Sequence, residues 1–290
     1  MPGLKDIRKR ISAVKSTKQI TKAMKMVAAA KFRRAQQRIV ELRPYAEKMQ
    51  SVLSNLARTV DTGHPLLEVR PRKKVEIVVL TGDRGLCGAF NTNIMKAATK
   101  LIKSLQDEGV EVSVCAIGKK GSDLFRRRKA PVRKAWMGLS GRVSYLHAQE
   151  IARDITTEYM NETFDEVILV YNEFRSALVQ KVTVSKLLPL SPVPTEGAEA
   201  QDAGGEFLYE PSQQGIFDVL LPKNLEIQVF RALLDSSASE EGARMSAMEN
   251  ATKNADDMIS RLTLQYNKAR QASITKELMD IVGGVEALKK

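Results

Sequence analysis

The first candidate for chemistry is a glycine-rich stretch, TGDRGLCGAFN at residues 81–91. It follows a short β-branched segment and precedes a helical one, which is where parallel α/β sheets bind nucleotide phosphates. Its glycines stand at positions 82, 85 and 88, a spacing that matches neither GxGxxG nor the P-loop pattern, and no Lys-Ser or Lys-Thr pair follows. The spacing therefore favours a strand-to-helix turn capped by Asn91 or Thr92 over a phosphate site.

Cysteines and histidines offer little for metal or redox chemistry. The chain has two cysteines, Cys87 and Cys115, two histidines, His64 and His147, and no CxxC pair. Such a set indicates neither a zinc site nor a disulfide framework. The sequence also contains no nucleophile elbow and no HExxH motif. We therefore expect no catalytic residue, no cofactor and no metal ion in this chain.

Two polar stretches remain as candidates for binding. RRRK at residues 126–129 has only Phe125 and Trp136 as aromatic neighbours, so we interpret it as the solvated edge of a folded domain rather than a nucleic-acid site. The second stretch is NKARQASITKEL at residues 267–278, and its composition alone indicates a polar segment of helix. Its polar side chains are Arg270, Gln271, Ser273 and Thr275.

The end of the chain that carries this second stretch, residues 216–290, predicts one very long helix. No proline follows Pro222, and Gly242 is the single glycine between residues 226 and 282. Spacings of three and four, the pattern of a coiled-coil seam, separate Met248, Ala251, Ala255, Met258 and Leu262. A seam of this kind needs a partner helix.

Residues 1–60 supply the partner helix. Their seam consists of Leu4, Ile7, Ile11, Val14, Thr21, Ala28, Phe32, Ala35, Ile39 and Leu42. Lys18 and Lys25 fill its skipped positions, and Pro44 predicts a kink or a local break. Because a whole domain separates the two helices in the chain, we expect them to pair antiparallel.

Positive charge is concentrated in the first helix. Residues 1–60 hold fifteen basic and three acidic side chains, an excess of twelve that equals the net charge of the whole chain, +12. We therefore expect an acidic partner, either a protein surface or a polyphosphate. No run of residues is apolar enough to span a bilayer and no apolar targeting segment opens the chain, so we expect any membrane role to be peripheral.

The middle of the chain predicts a Rossmann-like α/β domain at residues 75–190, after a linker at 61–74 and before a loop and foot region at 191–215. Strand segments at 75–80, 110–117 and 166–171 alternate with helical segments at 92–107 and 144–160, as in a parallel sheet. Residues 177–188 alternate in polarity and suggest an edge strand. The predicted fold class is therefore α/β plus a long antiparallel coiled coil of the two terminal helices.

Four motifs together resemble the gamma subunits of bacterial F-type ATP synthases. They are NKARQASITKELMDIVGG at residues 267–284, KSTKQITKAMKMVAAAKFRRAQ at 15–36, TGDRGLCGAFN at 81–91 and FLYEP at 207–211. The resemblance covers essentially the whole chain. It implies a non-catalytic rotor, the central stalk, which turns inside a ring of three alpha and three beta subunits and couples proton flow through the membrane sector to ATP synthesis or hydrolysis on beta.

The resemblance also implies partners and contact residues. The partners are the alpha, beta and epsilon subunits and the c-ring, with one copy of this chain in a complex on the cytoplasmic side of the bacterial inner membrane. Contacts with beta would involve Lys18, Lys22, Met24, Lys25, Arg270, Gln271 and Thr275. The foot near the c-ring and epsilon would include Arg43, Tyr45, Glu47, Tyr209 and Glu210. An apolar tip enclosed in a sleeve of other chains would include Leu278, Ile281, Val282 and Val285.

Two other functions remain open on the residues alone. A coiled-coil protein that binds nucleic acid would explain the basic helix, and it predicts tight, salt-sensitive RNA binding. A nucleotide-dependent enzyme built on residues 75–190 predicts saturable binding of NAD or ATP to that domain.

Overall fold

The computed structural model describes residues 3–59, 64–176, 179–190 and 212–288. Its helices are α1 (Leu4–Thr59), α2 (Phe90–Asp107), α3 (Lys119–Arg127), α4 (Tyr145–Met160) and α5 (Gln213–Leu288). Its strands are β1 (Lys74–Leu80), β2 (Glu111–Ile117), β3 (Val132–Trp136), β4 (Glu166–Phe174) and β5 (Gln180–Leu188). In this part of the chain, no helix combines the length and the apolar content needed to cross a bilayer.

The five strands form one sheet in the order β3-β2-β1-β4-β5. The first four strands are parallel, and β5 joins the edge antiparallel to β4. Val78 in the central strand pairs with Cys115 on one side and with Leu169 on the other. Six of the seven residues of β1 are buried, as expected when helices cover both faces of a parallel sheet.

Side chains alternate between two cores, one on each face of the sheet. Val78 and Leu80 of β1 face a core built with α4 and with parts of α1 and α5. Ile77 and Val79 face the opposite core, which contains side chains of α2 and Phe125 of α3. This period of two is what the β-branched segments of the sequence predict, and the mixed sheet with two long terminal helices confirms the predicted fold class.

The chain divides into two compact units. One consists of residues 1–28 and 245–290, and the other of residues 29–244. The predicted boundaries at residues 60 and 216 therefore do not coincide with this division. The reason is that the inner parts of both terminal helices contribute core residues such as Met49, Leu56, Phe217 and Leu225 to the α/β unit.

Several details differ from the sequence-based expectation. Helix α3 and strand β3 were not predicted, because their segment is short and rich in Arg and Lys. The expected break at Pro44 does not interrupt α1, which runs through this proline, and α5 likewise contains Pro222. Packing of Leu42 and Ala46 against the core on either side of Pro44 offsets the missing backbone hydrogen bond. The predicted linker contains a short 3-10 turn, Pro65–Leu67, whose Leu66 is fully buried.

Candidate functional site

The paired helices of the unit formed by residues 1–28 and 245–290 are the first candidate site. Polar contacts of 2.5 to 3.3 Å join them: Arg8 with Tyr266, Lys18 with Asp256, Thr21 with Thr252, and Lys25 with Glu249. As the residue number rises along α1, it falls by nearly the same amount along α5. The two helices therefore run antiparallel in one continuous register.

The buried seam of this pair follows steps of three and four residues. On α1 it includes Ile7, Thr21 and Ala28, and on α5 it includes Met248 and Ala255, all less than a tenth exposed. The hydroxyl pair of Thr21 and Thr252 lies in the seam and satisfies both hydroxyl groups.

One predicted seam residue of α5 is wrong. Met258 is 51% exposed, and Ile259 is the half-buried residue at this point. Steps of four and three from Ala255 reach Ile259 and Leu262, which keeps the stripe facing α1. The sequence pattern did not distinguish two adjacent apolar residues.

The predicted beta contacts on α1 lie beside this seam. Lys22 is exposed, whereas Lys18, Met24 and Lys25 are partly covered. Lys18 and Lys25 use their ammonium groups in the cross-helix ion pairs, so part of the positive charge of α1 is balanced within the helix pair. The unit still holds fifteen basic and seven acidic residues, an excess of eight out of the net +12 of the chain.

The predicted contacts near the end of α5 are solvent-exposed in this chain. Arg270, Gln271 and Thr275 are exposed polar side chains on the described helix. The apolar residues of the predicted tip are also exposed: Leu278 by 58%, Ile281 by 64% and Val282 by 57%. The side chain of Val285 lies outside the described residues. This apolar surface is unusual for a solvated helix and is typical of a site that a partner covers.

The predicted foot residues lie on α1, on both sides of Pro44. Tyr45 is 52% exposed, and Arg43 and Glu47 line a cavity of about 430 Å³ between α1, the end of β4 and α5. Tyr209 and Glu210 lie outside the described residues.

The glycine-rich stretch forms the β1–α2 loop at the carboxyl edge of the sheet. The Gly82 N–H donates to the Asn91 side chain at 2.8 Å, and the Gly121 N–H donates to the Thr81 hydroxyl at 2.9 Å. Asn91 thus closes the loop, and α2 begins after Ala89 without a side-chain cap. Two backbone donors of this loop, the N–H groups of Gly82 and Asp83, are therefore engaged by side chains of the same chain.

Asp83 joins this loop to two neighbouring segments. Its carboxylate accepts the Lys119 N–H and the Ser140 N–H, both at 3.0 Å, and the Ser140 hydroxyl accepts the Asp83 N–H at 2.9 Å. Burial alone would raise the pKa of Asp83, but backbone donors from Ser140, Gly138 and Lys119 outweigh it and hold that pKa below its usual range. The carboxylate therefore stays charged and caps the amino end of α3.

A buried carboxylate of α5 occupies the remaining space at this edge. Glu240 accepts the Ser140 hydroxyl at 3.1 Å, and its side chain lies against Gly82, where a Cβ would come within 2.7 Å of Oε1. Glu240, Glu241 and Arg244 were not predicted as site residues. The only sequence signal for these three residues is that they are charged and stand among small residues of α5. A solvent-exposed helix surface has the same pattern.

The basic stretch at residues 126–129 is exposed, and the basic residues of the neighbouring strand β3 are held in ion pairs. Arg133 binds Glu76 and Asp154, Lys134 also binds Asp154, and Arg128 donates to Thr99. These pairs attach strand β3, at the edge of the sheet, to side chains of β1 and α4. They agree with the interpretation as a domain edge.

The four residues that offered metal or redox chemistry serve the fold. Cys87 and Cys115 are buried free thiols, and burial raises the pKa of both, that of Cys115 to about 12. His64 accepts the Leu66 N–H, and His147 bonds with Ser144 at the start of α4. Within the described ranges, no three His, Cys, Asp or Glu residues come together as a metal site.

Comparisons with known proteins agree on one family. The sequence pattern of the family described as ATP synthase matches residues 3–288. The ATP synthase gamma chains of Trichlorobacter lovleyi and Geobacter metallireducens are 48% and 50% identical over 290 residues, with each chain covered completely.

Solved structures share the fold. A chain of the central stalk and c-ring of the Tetrahymena thermophila mitochondrial ATP synthase is 28% identical, with a TM-score of 0.60 over 80% of this chain and 99% of that chain. A chain of the Euglena gracilis mitochondrial enzyme is 21% identical, has a TM-score of 0.66 over 98% of this chain and 94% of that chain, and supports the fold alone. Because the family pattern spans residues 3–288 and the relatives span the full chain, this protein belongs to the ATP synthase gamma chain family.

Proposed function

We propose that this chain is the rotor of an F-type ATP synthase, turning within a ring of alpha and beta subunits and coupling proton flow through the membrane sector to ATP synthesis or hydrolysis on beta. Membership of the gamma chain family makes it a non-catalytic subunit of ATP synthase. The observation that carries the rotor mechanism is the antiparallel pair of terminal helices, held in one register by four polar contacts. A paired shaft resists twisting better than one helix.

The charge of this helix pair supports an acidic partner. The excess of eight positive charges in the unit of residues 1–28 and 245–290 attracts acidic surfaces over several ångströms without fixing one orientation. We infer that Lys18, Lys22, Met24 and Lys25 face an acidic region of beta. Lys22 supplies the most accessible charge, because Lys18 and Lys25 are shared with acidic residues of α5.

The contacts proposed near the end of α5 rest on the exposure of its side chains and on their hydrogen-bonding groups. Arg270, Gln271 and Thr275 provide donors and acceptors on an exposed helix, and we infer that they hydrogen-bond a loop of beta. The exposed apolar side chains of Leu278 and Ile281 support an apolar sleeve made by other chains. Val282 and Val285 complete that proposed tip.

We place the foot of the rotor at Arg43, Tyr45 and Glu47, with Tyr209 and Glu210 as further members. Exposure of Tyr45 on a helix is consistent with a covering partner, and we infer that this partner is the c-ring or epsilon. In functional terms the chain then divides into helices at 1–60 and 216–290, a linker at 61–74, the α/β domain at 75–190 and a loop and foot region at 191–215.

We also propose the cellular position of the complex. Both bacterial relatives are gamma chains of ATP synthase, and the structure from Tetrahymena thermophila combines the central stalk with a c-ring. By analogy this chain sits as one copy per complex on the cytoplasmic face of the bacterial inner membrane, bound through its partner subunits.

Reconstitution tests the proposal. Mixing the purified chain with the alpha and beta subunits of the same organism is expected to produce ATPase activity that neither component shows alone. Arg270→Ala should weaken binding of the chain to the alpha–beta assembly by about 1–2 kcal/mol, roughly five- to thirtyfold, because an arginine at an interface is often a dominant contact. Lys268→Ala, on the same helix, is the matched control.

Two outcomes would refute the rotor function. One is a chain that binds RNA tightly in a salt-sensitive manner and has no affinity for alpha and beta. The other is an ATPase activity of the alpha–beta mixture that does not change when the chain is added.

A further inference from the structure

A continuous series of polar contacts crosses the unit of residues 29–244, from α1 through α5 to the carboxyl edge of the sheet. Lys31 Nζ lies 3.9 Å from Glu241 Oε1, which lies 2.8 Å from Arg244 Nη1. Arg244 Nη2 donates to Glu240 Oε1 at 2.5 Å, and Glu240 Oε2 accepts the Ser140 hydroxyl. Ser140 in turn is bonded to Asp83, as described above.

The charged members on α5 are buried, which makes them costly to keep. Glu240 and Glu241 are each 4% exposed, and Arg244 is 9% exposed. Burial raises the pKa of the Glu240 carboxyl, although Arg244 opposes this effect. A helix that only had to adhere to the sheet would do so with apolar residues, because a buried ion pair often stabilises a fold no more than apolar side chains of similar volume.

Hydrogen bonds and ion pairs can fix the orientation of α5, which apolar contacts alone do not. A hydrogen bond weakens steeply when its distance or angle changes, whereas apolar side chains can slide past one another at small cost. Glu240 is held on three sides, by Ser140, by Arg244 and by the backbone at Gly82. A nearby bond from the Ser239 hydroxyl to the Asn172 carbonyl fixes the adjacent residue of α5 to β4. Together these contacts define both the rotation and the axial position of α5 against the sheet.

We propose that Glu240 is a positioning residue for torque transfer: seated between Ser140 and Arg244 against Gly82, it locks α5 to the carboxyl edge of the sheet so that helix and sheet turn as one body. The glycine-rich loop then contacts the Glu240 side chain of α5 and not a ligand. The Glu240 carboxylate lies at the edge of the sheet where nucleotide-binding proteins hold a phosphate. The inference rests on the rotor function proposed above and assigns a part of it to these residues.

The test uses the complete ATP synthase in inverted membrane vesicles. ATP hydrolysis and ATP-driven acidification of the vesicle interior are measured on the same preparation, and their ratio reports coupling. Glu240→Ala is expected to lower this ratio roughly two- to thirtyfold, the range in which single residues modulate coupling between sites. Asp257→Ala, an exposed acid on the same helix, should leave the ratio unchanged.

A reversible disulfide between α5 and the glycine-rich loop distinguishes a positioning role of Glu240 from a general effect on the stability of the fold. Gly82→Cys with Glu240→Cys places two sulfurs where the glutamate side chain now meets Gly82, and a disulfide joins Cβ atoms about 3.8 Å apart. The pair is made in a Cys87→Ser, Cys115→Ala background, to which all ratios are referred. The oxidised lock should restore the coupling ratio to the background value, and reduction should lower it again in the same vesicles.

The outcomes distinguish failure of the positioning role of Glu240 from failure of the proposed rotor function. If Glu240→Ala keeps the background ratio, if it lowers hydrolysis and acidification in equal proportion, or if the ratio of the cysteine pair does not differ between oxidised and reduced vesicles, the positioning role is wrong. Should Glu240→Ala not assemble, the cysteine pair alone decides. Vesicles of the unmodified complex that hydrolyse ATP without acidification would instead contradict the rotor function.

Discussion

Asp235 on α5 makes a pH-dependent prediction about stability. It is 5% exposed, and its nearest cation, Arg231, lies 4.0 Å away on a side chain that is itself 64% exposed. Burial raises the pKa of the Asp235 carboxyl from its ordinary 3.8 to about 6, because Arg231 compensates only weakly and Glu173 adds a repulsive charge. The charged form of Asp235 is therefore disfavoured in the folded chain.

The sign of the effect follows from proton binding. Between pH 3.8 and about 6 the folded state binds more protons at this residue than the unfolded state. Its contribution to stability is full below pH 3.8 and is lost as the pH rises through about 6. The loss amounts to about 3 kcal/mol at most, at 1.36 kcal/mol for each pKa unit.

Asp235→Asn removes the buried charge and should stabilise the α/β unit at pH 8 by up to about 3 kcal/mol. For a unit of this size that corresponds to a rise in melting temperature of about 6–12 °C. At pH 4 the variant and the parent should differ by less than about 1 kcal/mol, because Asp235 is then mostly neutral in the folded chain and only partly charged in the unfolded chain. Thermal unfolding of the purified chain at both pH values measures the difference, and Asp107→Asn, an exposed acid on α2, is the control. A stability difference that is the same at both pH values, or a variant that is less stable at pH 8, would refute this reasoning.

Two further variants test ion pairs of contrasting burial. Arg133→Met leaves the fully buried Glu76 without its cation and should destabilise the chain to urea by about 3–5 kcal/mol, whereas Arg133→Met with Glu76→Met should recover most of this loss; a single variant as stable as the parent would contradict the prediction. Lys25→Glu replaces the partly exposed pair with Glu249 by two like charges, at a cost of about 0.2–1 kcal/mol. In the assembled enzyme this variant should lower coupling or leave it unchanged. An increase in ATP-driven pumping per ATP hydrolysed would count against the proposed contact with beta.

The periodic parts of the fold could be predicted from the sequence because their patterns are local. β-branched segments marked β1, β2 and β4, and the steps of three and four along both chain ends marked the antiparallel helix pair. Strand β3 was not predicted, because VRKAW is short, has two adjacent charged residues, Arg133 and Lys134, in place of an alternating pattern, and is only half buried. Its ion pairs with Glu76 and Asp154 depend on residues distant in sequence, which no local pattern contains.

The glycine-rich loop shows a similar limit. The segment forms a strand-to-helix turn, but the prediction that Asn91 or Thr92 caps α2 is wrong: the helix begins at Phe90 without a side-chain cap, and Asn91 instead accepts the Gly82 N–H. The occupant of the loop, Glu240, follows it by 158 positions in the sequence and lies in a helix whose residues are mostly small or charged. Only the packing of α5 on the sheet brings the two together. The residues proposed to contact beta, the c-ring and the sleeve stay predictions, because their role depends on other chains.

The outer strand β5 has a consequence for the chain before assembly. Its second edge pairs with no other strand of the described sheet, and a sheet edge of this kind is a template on which another extended chain can pair. Lys181 and Lys186 are exposed on this strand, and two such lysines brought face to face with those of a second copy would repel each other. We expect these charges to disfavour edge-to-edge pairing of newly made copies before they bind their partner subunits.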